Sequence, residues 1–391
     1  MQLSRRAERI QPSATLTINA KAGEMKSRGE DVISLAAGEP DFGPPEHVTE
    51  RAIQAVKDGN TRYTPVPGTT ELRRAAAGYF EHFYGVRAEP ENIIAGNGGK
   101  QCLFNLCQCL LDAGDEVLIP APYWVSYPEM VGLADGEPVV LPTAPEEDFL
   151  LDPDKIDKAV GERTKALILN TPSNPTGCHY SQERLDRIME RALANDLYVI
   201  SDEIYDQLIF PPAGPASVAP WFESHPWRVA VVNGLSKSFA LTGWRIGYVL
   251  AHKEVIQAMS KIQGQSTSNI CTIAQEAAVA ALKGSFDFLG QKRDILAGRR
   301  DKALERIGNW SRAQCPRPDG AFYLFPQLDG YFSGSVADST SMCTYLLEEA
   351  GVALVPGTAF GDDRCVRLSY ALNDQDLERA LQRMEKALAK L

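Results

Sequence analysis

The sequence predicts an α/β protein whose large domain is built on a mostly parallel sheet and is followed by a smaller α+β domain. Three observations indicate this fold class. Helical and extended patterns alternate along most of the chain, and the extended patterns are near-continuous apolar runs, which is typical of buried parallel strands. After about Ile273 the pattern changes to long helices. The length of 391 residues also exceeds the usual size of a single hydrophobic core.

Helical periodicity predicts the helices. Apolar residues return every three or four positions over residues 48–58 and 70–84. The next helical run covers residues 100–111, and Gly114 is expected to end it. Further helices are predicted over residues 273–283, over residues 286–307 and from Asp374 onward.

Short apolar runs predict the strands, and we expect those of the large domain to be buried on both faces. They cover residues 92–96, 116–120, 139–142, 166–170, 197–201, 228–232 and 245–251. The smaller domain is expected to contain strands near residues 321–325 and 365–369. Because no Gly/Ser-rich linker separates the two domains, we expect them to pack closely and to share a helix.

Charge and composition exclude several classes of function. A net charge of −11 argues against a general affinity for nucleic acid or anionic membranes, although it is compatible with a local cationic pocket. No run approaches the roughly 18 to 20 apolar residues of a membrane-spanning helix, and the N-terminus has no apolar core of signal-peptide length. The eight cysteines match no zinc or iron–sulfur spacing. We therefore expect a cytoplasmic protein with reduced thiols and no metal site.

The segment over residues 233–248, NGLSKSFALTGWRIGY, is the most informative part of the chain. It places Lys237 between an apolar run and a loop, with Arg245 eight residues later. A lysine amine can form a Schiff base with a carbonyl cofactor, and the planar donor fork of an arginine suits a phosphate. Taken alone, Lys237 is more simply explained as a solvated surface charge. The whole string is far more specific than the single lysine.

Other polar residues follow predicted strands, at the sheet edge where open α/β sheets bind ligands. Gly98 and Gly99 follow a strand and open a helix, so bare backbone N–H groups would face a phosphate. A simple turn also explains this pair. Asn174 lies in the loop NTPSNPTG, from which its amide could donate to a ring oxygen. Turn chemistry alone also accounts for that loop.

Two charged residues at strands complete the pattern. Asp202 closes a strand, where a carboxylate can hold a pyridinium nitrogen protonated, and Tyr205 can reach the same ring. The alternative role for Asp202 is a helix N-cap. Arg367, in CVRLSYA, suits a substrate α-carboxylate, and its alternative is a surface ion pair. The order and spacing of these signals together favour an enzyme.

Over nearly its whole length the chain resembles the class I (fold type I) pyridoxal-phosphate-dependent aminotransferases. The matching segments are PSATLTINAKA, SLAAGEPDF, RYTPVPGTTELR, GNGGKQ, PYWVSYPEM, NTPSNPTG, SDEIYDQL, the lysine string and VRLSYA. The resemblance implies a mostly parallel seven-stranded sheet flanked by helices, and a smaller α+β domain built from both termini. It places the N-terminal arm and part of the small domain at 1–45, the large domain at 46–295 and the remainder at 296–391. It also implies a homodimer with shared active sites.

The same resemblance assigns roles to residues. Lys237 would carry pyridoxal 5'-phosphate and act as the proton-transfer base, and Asp202 would pair with the pyridinium nitrogen. Asn174 and Tyr205 would contact the phenolic oxygen of the cofactor, and Trp124 would stack on its ring. The implied phosphate contacts are Gly98, Gly99, Arg245 and Tyr63 of the neighbouring subunit, with Lys100 close by. The substrate carboxylate would lie at Gly38 and Arg367, beside Trp124 and Asn174.

One position departs from the family pattern. Many members have a serine three residues before the lysine, where its hydroxyl assists phosphate binding, whereas this chain has Gly234. We therefore expect one phosphate hydrogen bond to be missing, or to be supplied by water or by Ser236. This departure bears on cofactor affinity and leaves the chemistry unchanged.

The expected substrate is an acidic amino acid. Lys100, together with Ser13 and Thr15 on a mobile N-terminal arm, resembles the set with which the bacterial aspartate aminotransferase subgroup reads a distal carboxylate. A solvated Lys100 and a helix-capping Ser13 are the alternatives. Some members of that subgroup also use prephenate, an activity associated with a lysine where this chain has Gln11. The prediction is therefore aspartate with 2-oxoglutarate, and weaker or absent prephenate amination.

Two other classes of function stay open. The same cofactor would also support transamination of aromatic amino acids or alanine, or a β-elimination lyase. A regulator that senses an amino acid would need a DNA-binding extension, whereas the sequence begins directly with the arm.

Overall fold

Helices and strands alternate along the chain in the computed structural model, which describes residues 3–391. The strands are β1 (Ile33–Ser34), β2 (Ile93–Asn97), β3 (Glu116–Ala121), β4 (Glu137–Pro142), β5 (Thr164–Asn170), β6 (Tyr198–Asp202), β7 (Val229–Gly234), β8 (Ile246–Leu250), β9 (Tyr323–Leu324), β10 (Val352–Ala353), β11 (Val355–Pro356) and β12 (Val366–Ser369). The helices are α1 (Arg5–Arg9), α2 (Ala14–Ser27), α3 (Glu46–Lys57), α4 (Thr70–Tyr84), α5 (Gly99–Leu110), α6 (Tyr127–Leu133), α7 (Asp154–Ala159), α8 (Gln182–Ala194), α9 (Trp221–Ser224), α10 (Lys253–Gly264), α11 (Thr272–Lys283), α12 (Phe288–Gly308), α13 (Ser339–Ala350) and α14 (Asp374–Leu388). No helix of residues 3–391 is both long enough and apolar enough to cross a membrane.

The largest sheet has seven strands in the order β2-β8-β7-β6-β5-β3-β4. Strand β8 runs antiparallel to β2 and β7, and the remaining neighbours are parallel. The prediction of a mostly parallel seven-stranded sheet is therefore confirmed. In this register Asn170, the last residue of β5, lies beside Asp202, the last residue of β6. The parallel strands thus deliver their following residues to one edge of the sheet.

The sheet is covered by helices on both faces. Leu167 and Leu169 of β5 pack in the cluster that includes α3, α4 and α11, whereas Ile168 packs in the cluster of α5, α6 and α10. Successive side chains of a strand point to opposite faces, so this alternation buries both faces of β5. The apolar sequence of this strand is a direct consequence.

Two details of the sequence prediction are wrong. Strand β4 was expected to be buried, but it pairs only with β3 at the sheet edge, and Val140 is 43% exposed. Helix α5 ends at Leu110, with Leu111 in an extended conformation after it. Gly114 instead lies in the turn before β3, with φ of +87°. Glycine suits a turn position with positive φ. Gly114 therefore does mark a turn, but the turn precedes β3 and does not end α5.

The smaller domain is built from both ends of the chain, as expected. Strand β1, near the N-terminus, pairs in parallel with β10, and β11, β12 and β9 form an antiparallel sheet. Side chains of β1, β9, α12, α13 and α14 share one hydrophobic cluster. Helix α12 spans the expected boundary at residue 295. The boundaries at 45 and 295 themselves stay predictions.

Candidate active site

A pocket of about 260 Å³ opens where the parallel strands of the large sheet end. Most of the residues singled out in the sequence line it: Ser13, Thr15, Gly38, Gly99, Lys100, Trp124, Asn174, Asp202, Tyr205, Lys237, Arg245 and Arg367. Strands β5 and β6 of the large sheet supply Asn170 and Asp202. Strand β12 of the three-stranded sheet supplies Arg367. The pocket therefore lies between the two parts of the fold.

Lys237 follows strand β7 by three residues, and its amine lies inside the pocket. The amine donates a hydrogen bond to the carbonyl oxygen of Gly38 at 2.6 Å. Burial lowers the pKa of this amine to about 8, against the opposing effect of the Glu39 carboxylate, while Arg367 and Arg245 lower it further. A solvated surface charge is thus the wrong interpretation of Lys237. The lowered pKa instead gives the amine a much larger neutral fraction near physiological pH than an exposed lysine has, and nucleophilic and proton-transfer chemistry requires that neutral form.

Asp202 is a buried carboxylate at the end of β6. Its Oδ2 accepts a hydrogen bond from the Tyr127 hydroxyl at 2.7 Å, and its Oδ1 accepts from the backbone N–H of Ile204 at 3.3 Å. The second bond has the form of the capping role considered as an alternative. Burial raises the pKa of Asp202 to about 6, and the bond from Tyr127 opposes that rise. A buried carboxylate held this way fits a cationic ring nitrogen.

The start of helix α5 and Arg245 together form an anion-binding corner. Gly98 has φ of +82°, and its own N–H donates to the carbonyl of Gly96 at 2.7 Å, so the free backbone N–H groups at this corner are those of the helix that begins at Gly99. A Cβ on Gly98 would lie 2.6 Å from Nη2 of Arg245, which means that glycine lets the guanidinium approach the helix. Arg245 also donates from Nη1 to the carbonyl of Thr242 at 3.0 Å. A helix N-terminus beside an arginine fork fits a phosphate group.

The glycine at position 234 is explained by packing. Gly234 is the last residue of β7, and a Cβ there would lie 2.7 Å from the carbonyl oxygen of Ile246 and 2.9 Å from Cδ1 of Ile204. A serine therefore has no space at this position. Ser236 lines the pocket two residues later, so it stays the predicted replacement for the missing hydroxyl.

Arg367 is fully inside the protein, at 2% exposure, so the surface ion pair considered for it is wrong. Its Nη1 donates to Oδ1 of Asn174 at 2.9 Å, and its Nη2 donates to the carbonyl of Ala36 at 2.7 Å. Its Nε has no partner among residues 3–391. The guanidinium packs against Tyr323, with 4.6 Å from its central carbon to the ring centroid. A buried cation held by neutral partners has free capacity for a carboxylate.

A further cation in the pocket is Lys100, on the first turn of α5. Its amine donates to the hydroxyl of Ser126 at 3.1 Å and lies 4.8 Å from the centroid of the Trp124 ring. Burial lowers the pKa of Lys100, and the nearby Arg245 lowers it further. Ser13 occupies the N-cap position of α2, yet its hydroxyl makes no capping hydrogen bond. That hydroxyl remains available to the pocket, together with Thr15.

Several pocket residues were not found from the sequence. Among them are Glu39, Tyr127, Thr242 and Tyr323. Tyr127 comes three residues after Trp124, and the two rings meet edge to face at 5.4 Å, so its position in PYWVSYP was an available signal. No local sequence pattern indicated Tyr323, because it lies on β9 of the three-stranded sheet, far along the chain from the other pocket residues. Tyr63 is the opposite case: it is 92% exposed and does not line the pocket.

Known proteins resemble this chain over its full length. The model of the class I and II aminotransferases matches residues 30–384. The chain is 45% identical to a probable aspartate/prephenate aminotransferase of Thermus aquaticus, over 99% of both chains. It is 40% identical to an aspartate aminotransferase of Bacillus subtilis, over 100% of both chains.

A solved structure agrees with these relatives. An aspartate aminotransferase from Thermus thermophilus with maleate superposes with a TM-score of 0.94 at 44% identity, covering 99% of this chain and 100% of the other. Fold type I, expected from the sequence, is thereby confirmed. The chain belongs to the class I and II aminotransferases and is a pyridoxal-phosphate-dependent transaminase.

Proposed function

We propose that this chain transfers the amino group of L-aspartate to 2-oxoglutarate, giving oxaloacetate and L-glutamate, with pyridoxal 5'-phosphate as its cofactor. The observation that carries the proposal is the pair of cations, the buried Arg367 and the more exposed Lys100, in one pocket with the Lys237 amine. A four-carbon amino acid with two carboxylates matches that charge pattern. The relatives' names, and the maleate in the Thermus thermophilus structure, point to the same class of substrate.

The residues present fit the cofactor. The helix start at Gly98 and Gly99, with Arg245, would hold its phosphate, and Trp124 would cover its ring. Asp202 would pair with its ring nitrogen, and Asn174 and Tyr205 would contact its phenolic oxygen. When bound, pyridoxal phosphate supplies an electron sink for the negative charge that develops at the substrate α-carbon.

The chain's own contribution is to hold groups and move protons. Lys237, with its amine pKa near 8, takes the proton from the substrate α-carbon and returns one during the second half of the transfer. General acid–base work of this kind is worth roughly 10²–10⁴-fold. Asp202 would keep the ring nitrogen protonated, because a buried carboxylate is stabilised by pairing with a cation. Arg367 fixes the α-carboxylate so that the α-hydrogen faces Lys237.

The distal carboxylate is assigned to Lys100, Ser13 and Thr15. The test compares steady-state transamination of L-aspartate and L-alanine, each with 2-oxoglutarate, in the wild type and in Lys100→Ala. We expect the KM for aspartate to rise roughly 10- to 100-fold, the range for one charge-assisted bond, with alanine little affected. Lys158→Ala, an exposed lysine on α7, is the matched control. An equal loss for both amino acids in Lys100→Ala would contradict this assignment.

The alternatives have distinct products. A β-elimination lyase would make pyruvate and ammonia without any oxo-acid acceptor, which a coupled assay detects directly. An aromatic or alanine aminotransferase would prefer those amino acids over aspartate in the same assay. For prephenate we expect weak or absent amination, since Gln11 stands where the associated lysine would be and its side chain donates to the carbonyl of Arg9 at 3.4 Å.

The proposed enzyme is a homodimer in the cytoplasm. The exposure of Tyr63, and of Ile53 and Val56 on α3, supports a partner surface through which Tyr63 reaches the neighbouring pocket. The test is a mixed dimer of Tyr63→Phe and Lys237→Ala subunits. If Tyr63 acts across the interface, one of the two pockets in the mixed dimer carries both changes and the other carries neither, so that the second pocket has wild-type cofactor affinity. Cofactor affinity like that of the Tyr63→Phe dimer in the pocket that keeps Lys237 would contradict the shared site.

A further inference from the structure

Tyr323 lies at a junction between three residues of the pocket. Its hydroxyl is 2.9 Å from the hydroxyl of Tyr205, and its ring packs on the guanidinium of Arg367. A Cβ on Gly38 would lie 2.6 Å from the same hydroxyl oxygen. The side chain is buried at 1% exposure and lines the pocket from β9, on the smaller sheet. One residue from the smaller domain therefore touches groups proposed to hold both cofactor and substrate.

In the protein without cofactor, either of the two hydroxyls can be the donor of their hydrogen bond. A phenol has a single proton to donate and can accept on its oxygen. If the proton of Tyr205 is engaged by the phenolic oxygen of the cofactor, the bond between the two tyrosines requires Tyr323 to be the donor. Accepting that bond makes Tyr205 a stronger donor in turn, because hydrogen bonds in a chain polarise one another.

We propose that Tyr323 is a positioning residue whose hydroxyl donates to Tyr205, fixing the direction of the Tyr205 proton and strengthening its bond to the cofactor. The proposal rests on the cofactor assignment made under Proposed function. It adds a residue of the smaller domain to the control of the cofactor's electronic state. Gly38 belongs to the same arrangement, since any side chain there would displace the Tyr323 hydroxyl.

The test is an absorbance titration of the cofactor-bound protein across neutral and alkaline pH. Weaker donation to the phenolic oxygen makes the bound cofactor release its proton less readily. The pH at the midpoint of the absorbance change should therefore rise. In Tyr323→Phe we expect a rise of roughly 0.1 to 0.7 pH units, a fraction of the effect of losing one charge-assisted bond. Tyr205→Phe should produce a larger rise, and adding Tyr323→Phe to it should change nothing further. Phenylalanine keeps the ring against Arg367, so packing is conserved.

Two further variants make the result specific. Tyr370→Phe changes another buried tyrosine of the same hydrophobic cluster, whose hydroxyl donates to the carbonyl of Ala321 at 3.4 Å, and should leave the midpoint unchanged. Gly38→Ala should raise the midpoint by pushing the Tyr323 hydroxyl away. In the double variant Gly38→Ala with Tyr323→Phe, the clash with the hydroxyl should be absent, because the next atom of the Tyr323 side chain lies 3.7 Å from the added carbon.

The outcomes separate this inference from the function on which it rests. A midpoint in Tyr323→Phe equal to that of the wild type, or a rise that persists when Tyr205 is already phenylalanine, would overturn the positioning role alone. A wild-type protein that shows no cofactor absorbance after addition of pyridoxal phosphate would overturn both.

Discussion

The amine of Lys237 donates a hydrogen bond to the backbone carbonyl of Gly38 at 2.6 Å. Lys237 follows β7 of the large sheet, whereas Gly38 follows β1, which pairs with β10 of the smaller domain. One bond thus joins the two parts of the fold inside the pocket. It also holds the amine in a partly desolvated position, which is the main cause of its lowered pKa.

This lowered pKa predicts how the cofactor-free protein captures pyridoxal phosphate. Only the neutral amine attacks an aldehyde, and the neutral fraction grows as the pH rises through the pKa. The rate of capture should therefore rise with pH to a plateau with a midpoint near 8, well below the ordinary lysine value of 10.5. Stopped-flow absorbance measures this rate. A rate still climbing steeply at the pKa of an exposed lysine would contradict the burial argument.

Replacement of Arg367 by lysine tests the carboxylate site. A point charge cannot reproduce the bidentate grip of a guanidinium, and loss of one charge-assisted bond corresponds to roughly 10- to 100-fold in kcat/KM. We expect that loss for both L-aspartate and L-alanine, because each carries an α-carboxylate. Steady-state kinetics with both amino acids provides the measurement. Unchanged aspartate kinetics in Arg367→Lys would move the α-carboxylate to another part of the pocket.

Tyr127 is expected to govern the acidic side of the pH profile. Its hydroxyl stabilises the ionised form of Asp202, so Tyr127→Phe should raise the pKa of that carboxyl further above its ordinary range. Asp202 is ionised above its pKa, and activity is lost as the pH falls through it. The acid limb of kcat/KM should therefore move to higher pH, by roughly 0.4 to 1.1 units for one hydrogen bond. Tyr198→Phe, which removes a hydroxyl bonded to the carbonyl of Val229, should leave the limb in place.

Gly234 is predicted to be required by packing. In Gly234→Ser the new Cβ meets the carbonyl of Ile246, and overpacking of this kind costs about 1–3 kcal/mol. Urea denaturation should show that loss of unfolding free energy. Gly243→Ser, at a site with nothing within 4 Å of an added Cβ, should have little effect. A Gly234→Ser protein as stable as the wild type would show that β7 and β8 can separate to admit the side chain.

The sequence was sufficient for most of the large sheet. Buried parallel strands such as β5 and β6 are continuous apolar runs, and the residues that follow them are delivered to one edge by geometry alone. This is why Asp202, Asn174 and Lys237 are found together. The edge position of β4 could not be predicted, because exposure of a strand depends on which neighbour is absent and not on its own composition.

Contacts between distant segments were the main omission. Tyr323 and Glu39 reach the pocket from the smaller domain and from the chain before α3, and no local spacing relates them to Lys237. The packing reason for Gly234 likewise depends on β8, a partner strand. Tyr63 lies outside the pocket of its own chain, so its role stays a prediction that needs the second subunit.

The most direct test is the absorbance spectrum of the purified, cofactor-loaded protein before and after addition of L-aspartate, with L-phenylalanine and L-alanine as comparisons and Lys237→Ala as the control. The account predicts a cofactor band that L-aspartate converts to the amine form of the cofactor far more readily than the other two amino acids do. It also predicts a folded Lys237→Ala protein without turnover. Conversion by phenylalanine or alanine but not by aspartate would contradict the acidic specificity assigned to Lys100. Normal turnover in Lys237→Ala, or a wild type without any cofactor band, would contradict the central role of Lys237.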